Sequence, residues 1–290
     1  MQASFLSTVV LPVSLAIIML GMGLSLVPAD FKRVSQYPKP VAIGLICQLI
    51  LLPILGFIIA TIVPMQPTMA MGLMIIALCP GGVSSNIITF LAKGDVALSV
   101  TLTAFSSMIT VLTIPLFGNL AYQHFIGETA SIALPIGKTI FQIFVMTIVP
   151  ISVGMIFRKL YPKFAISIEK LTRKLAIGLL AIIIILLTIR EWENLPNFIV
   201  QVGLGIVLLN SISMLIGFAV SKLLNLNSAQ QICITIEVGL QNGALALAIT
   251  VGILNNPEMA IPAAVYSLFM NLTGFLAILY GRKLAVTHAV

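Results

Sequence analysis

The stretch MGLMIIALCPGGVSSNIITFLAKGD, residues 71–95, is apolar enough for a membrane helix but is interrupted at its centre. The interruption reads, in order, Pro80, Gly81, Gly82, Val83, Ser84, Ser85 and Asn86. Proline removes a backbone donor and clashes with the preceding helical turn, and glycine weakens a helix further. At membrane depth such a break is tolerated only where protein or a water-filled cavity satisfies the freed backbone groups. The stretch therefore predicts two half-helices meeting inside a membrane protein, with a simple proline kink as the alternative.

The composition of the whole chain also indicates a membrane protein. Of its 290 residues, 60% are hydrophobic and 8% are charged, whereas soluble domains are about a quarter charged. A helix needs about 20 apolar residues to cross the hydrocarbon core, and proline, glycine and charge divide the chain into nine such segments. They fall at 6–27, 40–62, 68–92, 96–120, 131–157, 172–189, 197–222, 228–253 and 259–281. We expect an all-α polytopic membrane protein with nine transmembrane helices, the first of them retained because it lacks the basic start of a signal peptide.

The basic residues predict how the chain is oriented. All but Lys138 and Arg190 of the 15 basic residues fall on one side of the membrane when the N-terminus is placed outside. Cytoplasmic loops carry an excess of lysine and arginine, so we expect a cell (inner) membrane protein with its N-terminus outside and its C-terminus in the cytoplasm. Because the basic residues are not clustered with aromatic ones, the net charge of +7 predicts no nucleic-acid partner.

A second interruption, IEVGLQNGA at residues 236–244, lies in the eighth segment. It holds Glu237, the only acidic residue that the predicted segments place at membrane depth. A carboxylate at the centre of a membrane helix costs roughly 2.5–3.5 kcal/mol on insertion scales. Two glycines and several polar residues predict a break here without a proline. The cost of Glu237 indicates a functional site.

The two interrupted segments run in opposite directions across the predicted membrane. Residues 1–125, with helices 1–4, and residues 161–290, with helices 6–9, are therefore predicted to form an inverted repeat around a fifth helix in 126–160, as one transporter unit over 1–290. Paired interrupted helices of this kind point to the midplane site of a secondary transporter. The helices after the breaks carry polar stripes, namely Ser99, Thr103, Ser106 and Thr110 in one and Ser267, Asn271 and Gly274 in the other. Ordinary helix packing also favours such residues, but beside two breaks a binding site is favoured.

Three motifs, CPGGVSSN (79–86), KGDVALSVTLTAFSS (93–107) and EVGLQN (237–242), resemble the bile acid:sodium symporter family. The resemblance covers nearly the whole chain. It implies a core domain and a panel domain, two interrupted helices that cross at the centre, and sodium-driven symport of an organic anion by alternating access.

The resemblance also implies two Na⁺ sites. The first would use Ser85, Asn86, Ser99, Thr103 and Glu237. The second would use Gln48, Glu237, Gln241 and backbone carbonyls near Val238 and Leu240. Each residue offers an oxygen, the donor that hard cations prefer.

Asn242, Asn271 and Ser84 are the residues that we expect near the organic anion. Val83 stands where bacterial relatives often have threonine, and Met270 where some have a polar residue. Both flank the expected cavity, so the resemblance leaves the substrate open between a bile acid and a small carboxylate such as pantoate or ketopantoate. Oligomeric state does not follow from the sequence.

Several alternatives remain at this point. Glu237 could relay protons in a proton-coupled carrier, or the carrier could export a metabolite. An intramembrane enzyme is disfavoured, because Gly94-Asp95 resembles only half of an aspartyl-protease motif and the other aspartate, Asp30, also sits at a helix end. The three cysteines and two histidines lack the spacing of a disulfide framework or a zinc site. We expect no enzyme; a receptor or a channel stays open.

Overall fold

The computed structural model describes residues 11–127, 136–190 and 195–287. Apart from short connections and one isolated β-bridge, these residues are helical. The helices are α1 (Leu11–Ser25), α2 (Pro28–Gln36), α3 (Pro38–Ile46), α4 (Leu52–Ile62), α5 (Pro67–Leu78), α6 (Val83–Leu91), α7 (Val96–Ile126), α8 (Ile136–Leu160), α9 (Pro162–Arg190), α10 (Leu195–Leu223), α11 (Ser228–Gly239), α12 (Gly243–Leu247) and α13 (Ala260–Thr287). A π-helical turn, Cys47–Leu51, joins α3 to α4, and another, Ala248–Ile253, extends α12.

Several of these helices are suited to cross a membrane. Within the described ranges, five are long and apolar enough: Pro38–Ile62, Val96–Ile126, Ile136–Leu160, Pro196–Leu223 and Ala260–Lys283. A sixth candidate is the pair α1 and α2, which bends by 66° at its break. The prediction of an all-α polytopic membrane protein is confirmed, while the count of nine crossings stays a prediction.

Some helix boundaries differ from those expected. α2 falls where a loop was predicted, because Pro28 suits a first helical turn and the Asp30 side chain accepts a bond from the Val27 amide at 2.8 Å. α9 begins at Pro162, ten residues before the predicted segment, since no glycine or proline interrupts the charged stretch that precedes its apolar part. Predicted segments 6–27 and 131–157 begin outside the described residues.

The described helices pack in two groups. α1, α8 and α9 pack on one another, and a Cβ at Gly154 would lie only 2.8 Å from the Gly23 carbonyl carbon. Such small residues let membrane helices approach closely. The other group surrounds α5, α6, α11 and α12, and every residue of α5 from Met69 to Leu78 is buried. The interrupted segments therefore lie in the interior of the protein.

Candidate functional site

The two breaks in the interrupted segments hydrogen-bond to each other. The Gly82 amide donates to the Leu240 carbonyl at 2.8 Å, and the Asn242 amide donates to the Pro80 carbonyl at 2.9 Å. This pair forms the antiparallel bridge in which Gly81 faces Gln241. Backbone groups that lost their helical partners are thus satisfied without water, as the interior of a membrane protein requires. We call this region the crossing.

The glycines allow the two chains to come this close. A Cβ on Gly81 would overlap the Glu237 carboxylate, and a Cβ on Gly82 would lie 2.8 Å from the Gln241 carbonyl oxygen. Even alanine would therefore force the two breaks apart. This steric requirement explains why two glycines follow the proline.

Glu237 lies at the crossing with only 1% of its surface exposed. Ser85 Oγ is 2.7 Å and Ser99 Oγ is 2.9 Å from Glu237 Oε2. Thr103 Oγ1 contacts Glu237 Oε1. In the part of the chain that the structure describes, this carboxylate forms no ion pair with a basic residue, so its charge has only hydroxyl partners.

These three hydroxyls have more acceptors than protons. Ser85 also lies 2.7 Å from the Gly82 carbonyl oxygen, and Ser99 lies 2.8 Å from Asn86 Oδ1. Thr103 lies 3.0 Å from the Ser99 carbonyl oxygen. Since each hydroxyl has one proton, it cannot satisfy both of its acceptors at once. The cluster is rich in oxygen and poor in protons, which is an environment that a bound cation would complete.

The structure brings together all five side chains predicted for the first sodium site. We call Ser85, Asn86, Ser99, Thr103 and Glu237 the first ion group. Among the described residues, no three histidine, cysteine or acidic side chains cluster as a metal site. Neutral oxygens around one carboxylate suit a hard cation of low charge better than a transition metal.

A second cluster of amides lies beside the first. Gln48 Nε2 donates to the Cys79 carbonyl at 3.0 Å and to Gln241 Oε1 at 2.7 Å, while Gln241 Nε2 donates to the Val238 carbonyl at 2.6 Å. The π-helical turn Cys47–Leu51 carries Gln48, and such turns are frequent at functional sites. We call Gln48, Gln241 and the Val238 and Leu240 carbonyls the second ion group.

Gln48 supplies the clearest sign of a ligand in this second group. Its Oε1 atom is buried and has no hydrogen-bond partner in the described parts of the protein. A buried polar atom without a partner is costly, and an amide oxygen is a suitable donor for a hard cation. The hydrogen bonds described for the Glu237 carboxylate all go to the first group, so its sharing with the second stays a prediction.

The residues predicted near the substrate do not form one cluster. Asn242 is buried; its Oδ1 accepts from the Leu245 amide at 3.0 Å, and its Nδ2 has no partner in the described ranges. Ser84 is half-buried beside Gly82. Asn271 is exposed and donates to the Ser267 carbonyl of its own helix at 2.5 Å. Their role in binding stays a prediction.

A cavity of about 270 Å³ adjoins the first ion group. It is lined by Ser25, Val83, Asn86, Ile87, Phe90, Val96 and Val100. Val83 was expected at such a cavity, whereas Ser25 and Phe90 were not singled out from the sequence. Two larger hollows, of about 460 and 800 Å³, have mainly apolar linings and contain none of the predicted site residues.

Comparison with known proteins agrees with this geometry. The model of the sodium bile acid symporter family matches residues 12–198. The chain belongs to this family. The resemblance drawn from the PGG and EVGLQN motifs is thereby confirmed, and membership of a family of membrane transporters favours transport over intramembrane catalysis.

Individual relatives extend the match over most of the chain. The uncharacterized sodium-dependent transporter YocS of Bacillus subtilis is 33% identical over 93% of this chain and 82% of its own length. A probable chloroplastic sodium/metabolite cotransporter of Oryza sativa is 29% identical over 97% of this chain and 66% of its own. The human ileal sodium/bile acid cotransporter is 28% identical over 85% of this chain and 70% of its own. All three names include sodium, whereas only the second and third state a substrate, a metabolite in one and a bile acid in the other.

Proposed function

We propose that this protein is a sodium-coupled symporter of a small organic anion. The observation that carries the proposal is the Glu237 carboxylate, which is buried at the crossing of two broken helices with only hydroxyl partners. Keeping an ionised carboxylate at membrane depth is costly. Transported sodium would offset that cost, because it would supply the positive charge that the described residues around Glu237 lack.

Sodium would bind in two places. The first ion group offers one carboxylate, one amide oxygen and three hydroxyls. The second offers the Gln48 and Gln241 amides with the Val238 and Leu240 carbonyls. The first group joins both interrupted segments and α7, and the second joins Gln48 of the π-helical turn to the second interrupted segment. Bound ions would therefore hold the crossing in one arrangement.

The anion would bind in the cavity beside the first ion group. Val83 lines this cavity and is the first residue of α6. The N-cap residue of α6 is Gly82, which has no side chain that could cap the first amides of the helix. The amides at a helix N-terminus attract negative charge. Asn86 belongs to both the cavity and the first ion group, so sodium and anion would each raise the affinity of the other by the same factor.

The dimensions of the cavity favour a small substrate. Its volume of about 270 Å³ falls below the roughly 300–1,000 Å³ typical of pockets for drug-sized ligands. A small hydroxy- or keto-carboxylate such as pantoate or ketopantoate therefore fits better than a bile acid. Asn242, with its unpartnered Nδ2, is the best candidate for a further donor, followed by Ser84 and Asn271.

Transport would proceed by alternating access in the inner membrane. We assign nine crossings, with the N-terminus outside and the repeats in residues 1–125 and 161–290. The separate packing of α1, α8 and α9 supports a panel that rocks against the helices around the crossing. Such movement of one bundle against another is common among inverted-repeat transporters.

The decisive experiment measures both ligands on one sample. The purified chain would be unfolded thermally in sodium or choline chloride at equal ionic strength, with a panel of small carboxylates that includes pantoate. We expect stabilisation by a carboxylate only when sodium is present, because a ligand of the native state raises its stability. In proteoliposomes an imposed inward sodium gradient should drive accumulation of the same carboxylate inside the vesicles.

Two outcomes would contradict this proposal. Uptake that is unchanged in choline and follows an imposed pH gradient would favour proton coupling through Glu237. Sodium-dependent binding without counterflow of a labelled substrate would favour a receptor or a channel over a carrier.

A further inference from the structure

The carbonyl of Gly239 accepts two side-chain hydrogen bonds from helices that pack beside the crossing. Asn210 of α10 donates through Nδ2 at 2.7 Å, and Tyr266 of α13 donates through its hydroxyl at 2.9 Å. Asn210 Nδ2 also lies 3.2 Å from the Tyr266 oxygen. We call these two side chains, with the Gly239 carbonyl, the Gly239 clamp.

Both donors of the clamp are deeply buried. Asn210 and Tyr266 have no exposed surface, and Asn210 Oδ1 lacks a partner among the described residues. Polar side chains often hold membrane helices together. If that were the only role of these two donors, a carbonyl elsewhere on α11 could serve equally well as the acceptor. The clamp instead binds the last residue of α11, where the helix ends and its carbonyl has lost its helical partner.

Successive carbonyls at this break have separate donors. Val238 accepts from Gln241 Nε2 at 2.6 Å, and Leu240 accepts from the Gly82 amide at 2.8 Å. Leu240 is extended, with φ −107° and ψ 103°, so the Gly239 and Leu240 carbonyls point to opposite sides of the chain. The clamp holds the Gly239 carbonyl toward α10 and α13, while the Leu240 carbonyl faces the other break.

Packing fixes the same backbone from a second direction. The Met214 side chain occupies the space where a Cβ on Gly239 would lie. Asn210 and Met214 are one helical turn apart, so a single face of α10 supplies both the hydrogen bond and the packing contact. The end of α11 therefore cannot shift toward α10 without a clash, nor away from it without breaking the clamp.

We infer that Asn210 and Tyr266 are positioning residues for the second ion group. The inference rests on the proposed function, because it concerns sodium affinity. By fixing the peptide between Gly239 and Leu240, the clamp sets the directions of the flanking carbonyls before an ion arrives. Ion-binding groups that are already held in place bind more tightly, because they lose less conformational entropy when the ion binds. Loss of a clamp bond weakens sodium binding although no proposed ion ligand is removed.

The test is a sodium titration of the purified full-length chain, followed by thermal unfolding, with choline keeping the ionic strength constant. Tyr266→Phe removes one hydroxyl, and Asn210→Leu replaces the amide by an apolar side chain of similar size. We expect the sodium midpoint of Tyr266→Phe to rise about threefold to tenfold, as one hydrogen bond is worth. Asn210→Leu should raise it at least as far, and saturating sodium should restore most of the stabilisation in both variants.

Ser221→Ala is the matched control, because Ser221 is also buried on α10 but its hydroxyl donates within the same helix, to the Phe218 carbonyl at 2.9 Å. Its sodium midpoint should equal that of the unsubstituted protein. Lower melting temperatures with unchanged sodium midpoints in both clamp variants would reduce the clamp to a structural contact and overturn the inference alone. No sodium response in the unsubstituted protein would overturn the proposed function, and the clamp's role with it.

Discussion

Ser85 Oγ lies 2.7 Å from Glu237 Oε2, although the two residues are 152 positions apart in the chain. Ser85 belongs to α6, which follows the first break, and Glu237 belongs to α11, which precedes the second. The bond therefore joins half-helices of different interrupted segments. A cation held by both oxygens would stabilise the crossing as a whole, so binding and conformation should be coupled there.

Replacing Glu237 by glutamine should remove the response to sodium. The amide keeps the shape of the side chain but removes its charge, and loss of a charged partner worth about 1.5–3 kcal/mol lowers affinity about tenfold to a hundredfold. In choline the variant should have a higher melting temperature than the unsubstituted protein, because burying a neutral amide at membrane depth costs less free energy than burying a carboxylate. Thermal unfolding in the two salts measures both effects.

Glu258→Gln provides the control for this charge change, because Glu258 is exposed and lies in the connection before α13. It should keep the full sodium response. A Glu237→Gln protein with sodium-dependent uptake like that of the unsubstituted protein would show that Glu237 is not at the centre of the ion site.

The first ion group was predictable from sequence because helical spacing decides most of it. Ser99 and Thr103 lie one turn apart on α7. Ser85 and Asn86 lie in the first turn of α6, the half-helix that follows the PGG break. The shortage of hydroxyl protons around Glu237 was not predictable. It depends on distances between helices that are far apart in sequence.

Other features lay beyond the sequence for a similar reason. Asn210 and Tyr266 are isolated polar residues in apolar helices, a pattern that also fits ordinary packing, and only the fold brings both to the Gly239 carbonyl. The cavity residues Ser25 and Phe90 come from different packing groups, so their meeting depends on how α1 lies against α6. An isolated polar residue at membrane depth was nevertheless a usable signal for Asn210.

Gly81→Ala should damage the ion site directly. The new methyl group would overlap the Glu237 carboxylate, and forcing an extra methyl into a packed interior costs about 1–3 kcal/mol. We expect a lower melting temperature together with a smaller sodium shift. Gly203→Ala is the control, since a Cβ there meets no atom within 4 Å and alanine favours a helix. Equal sodium shifts in the two variants would argue against the close approach described here.

Gln48→Leu should affect one ion group more than the other. It removes the unpartnered Oε1 and the two bonds that Nε2 donates to Cys79 and Gln241, but leaves the hydroxyls around Glu237 in place. The Hill coefficient of sodium-dependent uptake should therefore fall while some sodium dependence remains. Gln201→Leu is the control. It removes an amide whose Oε1 accepts from the backbone amide of Gln66, just before α5, and should leave the coefficient unchanged. An unchanged coefficient in Gln48→Leu would contradict a second site there.

The proposed orientation can be tested with introduced cysteines, because Cys47, Cys79 and Cys233 are all buried and should react slowly. Gln66 and Tyr161 are exposed in connections that the topology assigns to opposite sides. In intact cells, Gln66→Cys should react with a membrane-impermeant maleimide and Tyr161→Cys should not. Both should react after permeabilisation, and the reverse pattern would invert the assignment of the termini.

Enlarging Val83 should separate substrate binding from sodium binding. Val83 lines the cavity of about 270 Å³ but contributes no side-chain oxygen to either ion group. Val83→Phe should therefore abolish the added stabilisation by a small carboxylate, while the shift caused by sodium alone persists. Val153→Phe makes the same change on α8 at a position that is 51% exposed, and should preserve both responses. If Val83→Phe binds the carboxylate with unchanged affinity, the anion lies elsewhere, and Asn242 becomes the next position to substitute.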